Sequence, residues 1–235
     1  MQVLVSVNSV AEAQLVLSAG VSLIDLKDTS HGALAALDLE VSKAIVDTVN
    51  AYRQQTSATG VIISATVGDY CTSVADLIQL IESRLNLGVE VIKLPETIWD
   101  DPAYQPAIAA FLEQGIRLIA VLTPASLSEA RMAGRVQFLA QQGYWGVMVD
   151  TTLKSSPLTE MVSLSALANF VHAAKAAQLF VGLAGGLSLS HVAPLAALGA
   201  DYVGYRSGLC IDGQRAQGLL TSKVQQLVAR VSEIC

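Results

Sequence analysis

The sequence has 235 residues, of which 52% are hydrophobic and only 14% are charged, and its formal net charge is −6. This length fits a single α/β domain over residues 1–235 better than two small ones, and the apolar composition predicts a large buried core. The acidic balance, without any basic cluster, argues against a nucleic-acid partner.

The chain also lacks the usual signals for export or membrane insertion. Residues 1–7 have neither the charged start nor the long apolar core of a signal peptide, so we expect a cytoplasmic protein. Residues 176–200 contain no charged side chain, but glycines and a proline interrupt them, so they predict strand, turn and helix rather than a membrane span. Three widely spread cysteines, Cys71, Cys210 and Cys235, fit a reduced compartment better than a disulfide framework.

Apolar strands alternate with segments of helical periodicity along the whole chain. The predicted strands are residues 3–7, 22–26, 61–65, 89–93, 116–122, 146–149, 179–183 and 202–205. The predicted helices are residues 10–18, 39–53, 74–87, 106–114, 127–142, 164–177, 188–198 and 218–231. Unbroken apolar strands are typical of a parallel sheet covered on both faces. Eight repeats without a linker predict a single (β/α)8 TIM barrel, with a doubly wound open sheet as the alternative.

Three of the six lysines lie at or just beyond the ends of even-numbered predicted strands. Lys27 follows the second strand, Lys93 ends the fourth, and Lys154 follows the sixth. Catalytic groups of TIM barrels gather at the carboxyl ends of the strands. Because inward residues of alternate strands share layers, we expect Lys27 and Lys93 to meet, with Asp150 nearby. An inward lysine is costly to desolvate unless it is paired or functional, and we favour a functional cluster over structural ion pairs.

Lysines beside carboxylates suit Schiff-base chemistry. A free lysine titrates at roughly 10.4, and a second ammonium with partial burial lowers that pKa and makes the amine a nucleophile. Asp25, Asp150 and Asp69 could then move protons during carbinolamine dehydration and carbon–carbon bond chemistry. For Asp69, a turn-closing or helix-capping role is an equal alternative. The pattern predicts an aldolase-like enzyme that acts on a carbonyl substrate.

Glycine-rich turns follow the seventh and eighth predicted strands. Gly185 and Gly186 lie where a strand meets the start of a helix, and Gly204, Arg206 and Ser207 lie at the end of the last strand. Loops at these places often bind phosphate through backbone N–H groups, and an arginine adds a bidentate charge. Glycines also occur at such turns for steric reasons alone. We predict a phosphate site here for a small phosphorylated substrate; the histidine spacing indicates no metal, and no cofactor is expected.

Several motifs occur in the order seen in a known family. They are Asp25-Leu26-Lys27-Asp28 with Gly32, Ser64-Ala65-Thr66-Val67-Gly68-Asp69, Ile92-Lys93, Val149-Asp150-Thr151 with Lys154, Leu183-Ala184-Gly185, and Gly204-Tyr205-Arg206 through Cys210. Over its whole length the chain resembles the (5-formylfuran-3-yl)methyl phosphate synthases, TIM-barrel enzymes of methanofuran biosynthesis. The resemblance implies a carbon–oxygen lyase acting on phosphates. It would condense two molecules of glyceraldehyde 3-phosphate through a lysine Schiff base, with loss of phosphate and water.

The resemblance also implies roles within the cluster. Lys27 matches the family's active lysine, with Lys154 as its rival and Lys93 as the activating cation, while Asp25 and Asp150 match the acid–base carboxylates.

This chain departs from the family pattern in two loops. Gly32-Ala33-Leu34-Ala35 replaces the usual Gly-Ser-Leu-Gly, and Gly186 replaces a usual serine. Both changes touch predicted phosphate contacts, so they bear on phosphate geometry more than on the lysine chemistry. A non-archaeal relative in one-carbon metabolism would accommodate them.

Two other functions fit the same residues. Another Schiff-base aldolase, on a different phosphorylated sugar, would share the fold and the lysines but would yield no ultraviolet-absorbing furan aldehyde. A silent barrel that binds a phosphorylated metabolite would show neither turnover nor a reducible adduct, and it would not need three strand-end lysines. The low charge and the many apolar helix positions predict a homo-oligomer.

Overall fold

Eight parallel strands close into a barrel. The computed structural model describes residues 1–30, 34–58, 60–127, 129–151 and 156–234. The strands are β1 (Gln2–Val7), β2 (Leu23–Leu26), β3 (Ile62–Thr66), β4 (Val91–Pro95), β5 (Arg117–Leu122), β6 (Gly146–Val149), β7 (Phe180–Ala184) and β8 (Tyr202–Tyr205). Each pairs with the next, and β8 pairs with β1. The predicted TIM barrel is confirmed, and the open-sheet alternative is wrong.

Helices cover the outside of the barrel after every strand. They are α1 (Val10–Ser18), α2 (Leu39–Thr56), α3 (Val74–Leu87), α4 (Glu96–Trp99), α5 (Gln105–Glu113), α6 (Glu129–Gln142), α7 (Leu158–Met161), α8 (Leu164–Ala176), α9 (Val192–Ala196) and α10 (Thr221–Ile234). The single-turn helices α4 and α7 were not predicted, because one turn is too short to show a period. The helix predicted over residues 188–198 is α9 preceded by a 3-10 turn. In the part of the chain that the structure describes, no helix is both long enough and apolar enough to cross a bilayer.

Capping side chains explain where several helices begin and end. The hydroxyls of Ser9, Ser73 and Ser163 each accept a hydrogen bond from the backbone N–H three residues later. Gly88 ends α3 in the left-handed region, with φ at 98°. These local signals are the reason why α1 and α3 span the predicted residues.

The interior of the barrel is sealed at the amino ends of its strands. The ring centroids of Trp145 and Phe180 lie 4.5 Å apart, and those of Phe180 and Tyr202 lie 5.1 Å apart. The guanidinium of Arg117 lies 5.4 Å from the ring centroid of Trp145. Because this end is filled with side chains, the space for a ligand lies at the carboxyl ends of the strands.

Gly182 in β7 makes room for the ring of Tyr202. A Cβ atom at this glycine would lie 2.1 Å from Cζ of Tyr202, far inside contact distance. The ring is fully buried, and its hydroxyl donates to Sδ of Met148 at 3.4 Å. The close packing of the inward layer therefore depends on the missing side chain of Gly182.

We expect Gly182→Ala to lower the free energy of unfolding by about 1–3 kcal/mol, because the rigid ring of Tyr202 must move. Denaturant unfolding measures this change. Gly134→Ala is the matched control: Gly134 is exposed in α6 with open space around its Cα, so alanine should stabilise by about 0.5–1 kcal/mol. Equal effects of the two substitutions would contradict the packing described here.

Candidate active site

Two lysines and two aspartates line one cavity at the carboxyl end of the barrel. Alternation along β2 points Asp25 inward, and Lys27, two residues later, points the same way. Lys93 comes from β4, and Asp150 follows β6 directly. None of the four residues is more than 7% exposed. The expected meeting of Lys27, Lys93 and Asp150 is thus confirmed as geometry, while their chemical roles stay predictions.

The deeper pair joins Lys93 to Asp25. Lys93 Nζ lies 2.8 Å from Asp25 Oδ1, and the hydroxyls of Ser64 and Ser6 donate to the two carboxylate oxygens of Asp25 at 2.8 and 2.9 Å. Such partners are what a buried carboxylate requires. Burial lowers the pKa of Lys93 below its ordinary value, the Asp25 carboxylate acts in the opposite direction, and the nearby ammonium of Lys27 adds to the lowering.

The outer pair joins Lys27 to Asp150. Lys27 Nζ lies 3.3 Å from Asp150 Oδ2, and Asp150 Oδ1 accepts the backbone N–H of Thr151 at 2.8 Å. The backbone N–H of Lys27 donates to the carbonyl of Val7 at 3.2 Å, which continues the pairing between β1 and β2. The barrel therefore places an amine and a carboxylate from opposite strands within reach of each other.

Asp69 lies outside the residues that line this cavity. It follows β3 and is half-buried, and its Oδ1 accepts the backbone N–H of Leu34 at 2.8 Å. Leu34 itself lines the cavity. The hydrogen bond from Leu34 holds the loop after β2, as expected of a turn-closing carboxylate. Proton transfer by Asp69 stays a prediction.

Two predictions concern residues that the structure does not describe. Lys154, the rival nucleophile, and Ala33, one of the departures from the family pattern, both lie outside the described residues. Ala35, the other departure in that loop, accepts hydrogen bonds through its carbonyl from the backbone N–H of Asp28 and from the hydroxyl of Thr66, each at 3.0 Å.

The predicted glycine turns form the other end of the same cavity. Gly185, Gly186, Gly204 and Ser207 line it together with the lysine cluster. Ala184, the last residue of β7, and Gly204 in β8 leave the interior open on this side. Gly185 has φ at 117°, and a Cβ there would lie 2.6 Å from the side chain of Thr151, so sterics also require this glycine.

Arg206 is held by protein groups on all five of its N–H bonds. Its acceptors are the carbonyl oxygens of Arg215 (3.0 Å), Ser6 (3.2 Å) and Gln217 (3.0 Å), the hydroxyl of Thr29 (3.4 Å) and Oε2 of Glu12 (2.5 Å). The bidentate phosphate contact predicted for Arg206 would have to displace some of these groups.

Sequence reasoning missed two residues near this end of the site. Glu12 is a buried carboxylate in the first turn of α1, where acidic residues are favourable in any helix, so its position gave no signal of a further role. Arg215 lines the cavity, although it follows β8 in a polar segment without regular periodicity. The one available signal for Arg215 was its basic side chain shortly after the predicted phosphate turn.

Comparison with known proteins gives a consistent family assignment. The family model described as 4-HFC-P synthase matches residues 3–228. A relative from Methylorubrum extorquens, provisionally named (5-formylfuran-3-yl)methyl phosphate synthase, is 36% identical over 97% of this chain and 90% of its own. The (5-formylfuran-3-yl)methyl phosphate synthase of Archaeoglobus fulgidus is 29% identical, with 98% and 99% of the two chains covered.

Solved structures are similar in fold. Phosphoribosyl anthranilate isomerase from Thermus thermophilus superposes over all of both chains with a TM-score of 0.66 at 14% identity. 3-Hexulose-6-phosphate synthase from Salmonella typhimurium does so with a TM-score of 0.64 at 15% identity. At such low identity the likeness shows the barrel fold alone.

The lowered pKa of Lys93 predicts a pH dependence of stability. Between that lowered pKa and the ordinary value of 10.5, the unfolded chain binds a proton that the folded protein does not. The free energy of unfolding of the wild type, relative to Lys93→Met, should therefore rise as the pH increases through this window. Denaturant unfolding from about pH 8 to about pH 10 measures the difference. Lys43→Met is the control: the Lys43 side chain is 63% exposed, so the difference in free energy of unfolding between the wild type and this variant should not change with pH. A difference that does not change with pH for Lys93→Met would contradict the prediction.

Proposed function

The chain belongs to the 4-HFC-P synthase family, and on that premise we propose that it condenses two molecules of glyceraldehyde 3-phosphate to (5-formylfuran-3-yl)methyl phosphate. One phosphate and two molecules of water leave, which balances the atoms, so the enzyme acts as a carbon–oxygen lyase in methanofuran-type biosynthesis. The observation that carries the proposal is the pair of Lys27 and Asp150, 3.3 Å apart in a cavity that also contains the glycine turns.

Lys27 is the nucleophile of the proposed reaction. Its amine must lose a proton before it can attack an aldehyde, and the carboxylate of Asp150 lies within reach to accept that proton. Attack gives a carbinolamine, and the same carboxyl group can return the proton to the departing hydroxyl, so that water leaves and an iminium forms. Lys154 stays in the proposal as the rival for this role.

Lys93 and Asp25 act at the inner end of the cavity. Lys93 is already paired with Asp25 at 2.8 Å, so we assign it no covalent role. It lines the cavity, and its positive charge can stabilise the oxyanion that develops as the carbonyl is attacked. Asp25 lines the cavity and can remove the proton next to the iminium carbon. The resulting enamine carbon would then attack the aldehyde of the second triose. Asp69 would support this site through the loop that contains Leu34.

The glycine turns bind the phosphate end of the substrate. Gly185 and Gly186 lie in the turn after β7 and have no side chain, so their backbone N–H groups can approach phosphate oxygens closely. Gly204 lies within β8 and leaves room for the phosphate by having no side chain. Ser207 can add its hydroxyl. Since these residues line the same cavity as Lys27, a phosphorylated triose can contact the glycine turns and the amine at once.

Trapping the covalent intermediate tests the nucleophile. We expect borohydride reduction with glyceraldehyde 3-phosphate to leave a triose adduct on the peptide that contains Lys27, as seen by peptide mass mapping. Lys27→Arg should lose this adduct and lower formation of the furan aldehyde, followed by its ultraviolet absorbance, at least about 10³-fold. Lys43→Arg, on the exposed face of α2, is the matched control and should behave as the wild type.

Two outcomes would contradict the assignment. An adduct on Lys154 instead of Lys27 would exchange the roles of the two lysines and keep the amine chemistry. No adduct together with no furan absorbance would remove the synthase function and favour a binding protein.

A further inference from the structure

The guanidinium of Arg206 is the centre of a buried network that the reaction proposed above does not use. Its five hydrogen bonds reach β1 at Ser6, α1 at Glu12, the loop after β2 at Thr29, and residues 215 and 217 in the segment after β8. The side chains of Arg206 and Glu12 are only 10% and 9% exposed. A guanidinium enclosed in this way, with every donor used, is placed to hold structure rather than to receive a ligand.

Glu12 holds the same segment from the other side. Its Oε1 accepts the backbone N–H of Leu219 at 3.3 Å, and its Oε2 accepts that of Asn8 at 3.0 Å beside the ion pair with Arg206. Glu12 is not among the residues that line the cavity. We call residues 207–219 the β8 segment. Arg206 holds it through the carbonyl oxygens of residues 215 and 217, and Glu12 holds its far end through the backbone N–H of Leu219.

The β8 segment brings two polar side chains to the phosphate end of the cavity. Ser207 and Arg215 line the cavity that contains Lys27, and both also line an adjoining surface cavity together with Gly186. Arg215 is half-buried, and its Nη2 donates to the carbonyl of Asp28 at 3.4 Å. Arg206 lines the same cavity, but its guanidinium already donates all five N–H bonds to protein groups. Arg215, unlike Arg206, also borders the adjoining surface cavity.

We propose that Arg206 is a positioning residue, which with Glu12 fixes the β8 segment so that Arg215, and not Arg206, contacts the substrate phosphate beside Gly186 and Ser207. This inference rests on the proposed function, because it requires a phosphorylated substrate. It also accounts for the buried ion pair between Arg206 and Glu12: a phosphate that took Glu12's place on Arg206 would leave a buried carboxylate unpaired.

The two possible roles of Arg206 predict opposite effects of Glu12→Gln. If Arg206 fixes the β8 segment, loss of the carboxylate loosens the segment, and inorganic phosphate binds roughly tenfold more weakly. If Arg206 were itself the phosphate ligand, release from Glu12 would make phosphate bind more tightly. Calorimetric titration of the full chain with inorganic phosphate separates the two signs.

Arg215→Gln tests the contact directly. It should weaken phosphate binding by a similar factor. It should also reduce the difference between the rates of adduct formation with glyceraldehyde 3-phosphate and with glyceraldehyde, because only the former has the phosphate that Arg215 contacts. Arg131→Gln, at an exposed arginine of α6, is the matched control and should bind phosphate as the wild type does. Arg206→Lys keeps the positive charge but loses most of the donors, so it should bind phosphate as weakly as Glu12→Gln.

A double-mutant cycle separates positioning from a merely structural effect. If Glu12 acts through Arg215, then Glu12→Gln in the Arg215→Gln background should weaken phosphate binding no further. Additive losses would overturn the inference, as would tighter or unchanged binding in Glu12→Gln, or wild-type binding in Arg215→Gln. If a Glu12 or Arg206 variant fails to fold, as judged by its unfolding transition, the substitution Arg215→Gln at the half-buried cavity residue still decides the contact.

Failure of this inference differs from failure of the proposed function. Phosphate titration does not need the amine of Lys27, so a wild type that binds phosphate without forming an adduct would remove the synthase chemistry alone. A wild type that forms the Lys27 adduct but does not bind inorganic phosphate would overturn the role of Arg215 and leave the chemistry in place.

Discussion

The architecture depends on the rule that a charge buried in an apolar barrel must be paired. The ammonium of Lys93 meets this rule through Asp25, and Asp25 in turn is satisfied by Ser6 and Ser64. Loss of one partner from such a pair costs about 3–5 kcal/mol, whereas an apolar pair of similar volume is often as stable as the ion pair. Stability alone therefore does not explain the charges, and their position at the carboxyl end of the barrel favours a role in the reaction.

The distribution of side-chain size around the barrel divides the cavity into two ends. The strands β2, β4 and β6 contribute the charged groups Asp25, Lys93 and, directly beyond its strand, Asp150. In β7 and β8, Ala184 and Gly204 are small, so the interior remains open towards the turns after these two strands. A substrate with a carbonyl at one end and a phosphate at the other fits this division, because each end meets the chemistry it requires.

Sequence patterns predicted the secondary structure and the lysine cluster, but they did not predict the hydrogen bonds between distant segments. The strands, the long helices and the barrel follow from periodicity, and the meeting of Lys27 with Lys93 follows from alternation along even-numbered strands. The network of Arg206 could not be predicted, because its acceptors come from β1, α1 and the β8 segment, which are far apart in sequence. The position of Arg206 after the last strand predicted that it binds phosphate. Only the tertiary contacts show that its N–H donors already bond to protein groups.

Ser6 joins the two networks. Its hydroxyl donates to Asp25 at 2.9 Å, and its carbonyl accepts from Arg206 at 3.2 Å. The residue lies in β1, whose pairing with β2 and β8 fixes its position in the barrel wall. Because rigid elements set catalytic distances more closely than loops do, this shared anchor ties the lysine cluster and the β8 segment to one point of the sheet. The spacing between the carbonyl end and the phosphate end of the cavity is therefore a property of the barrel itself.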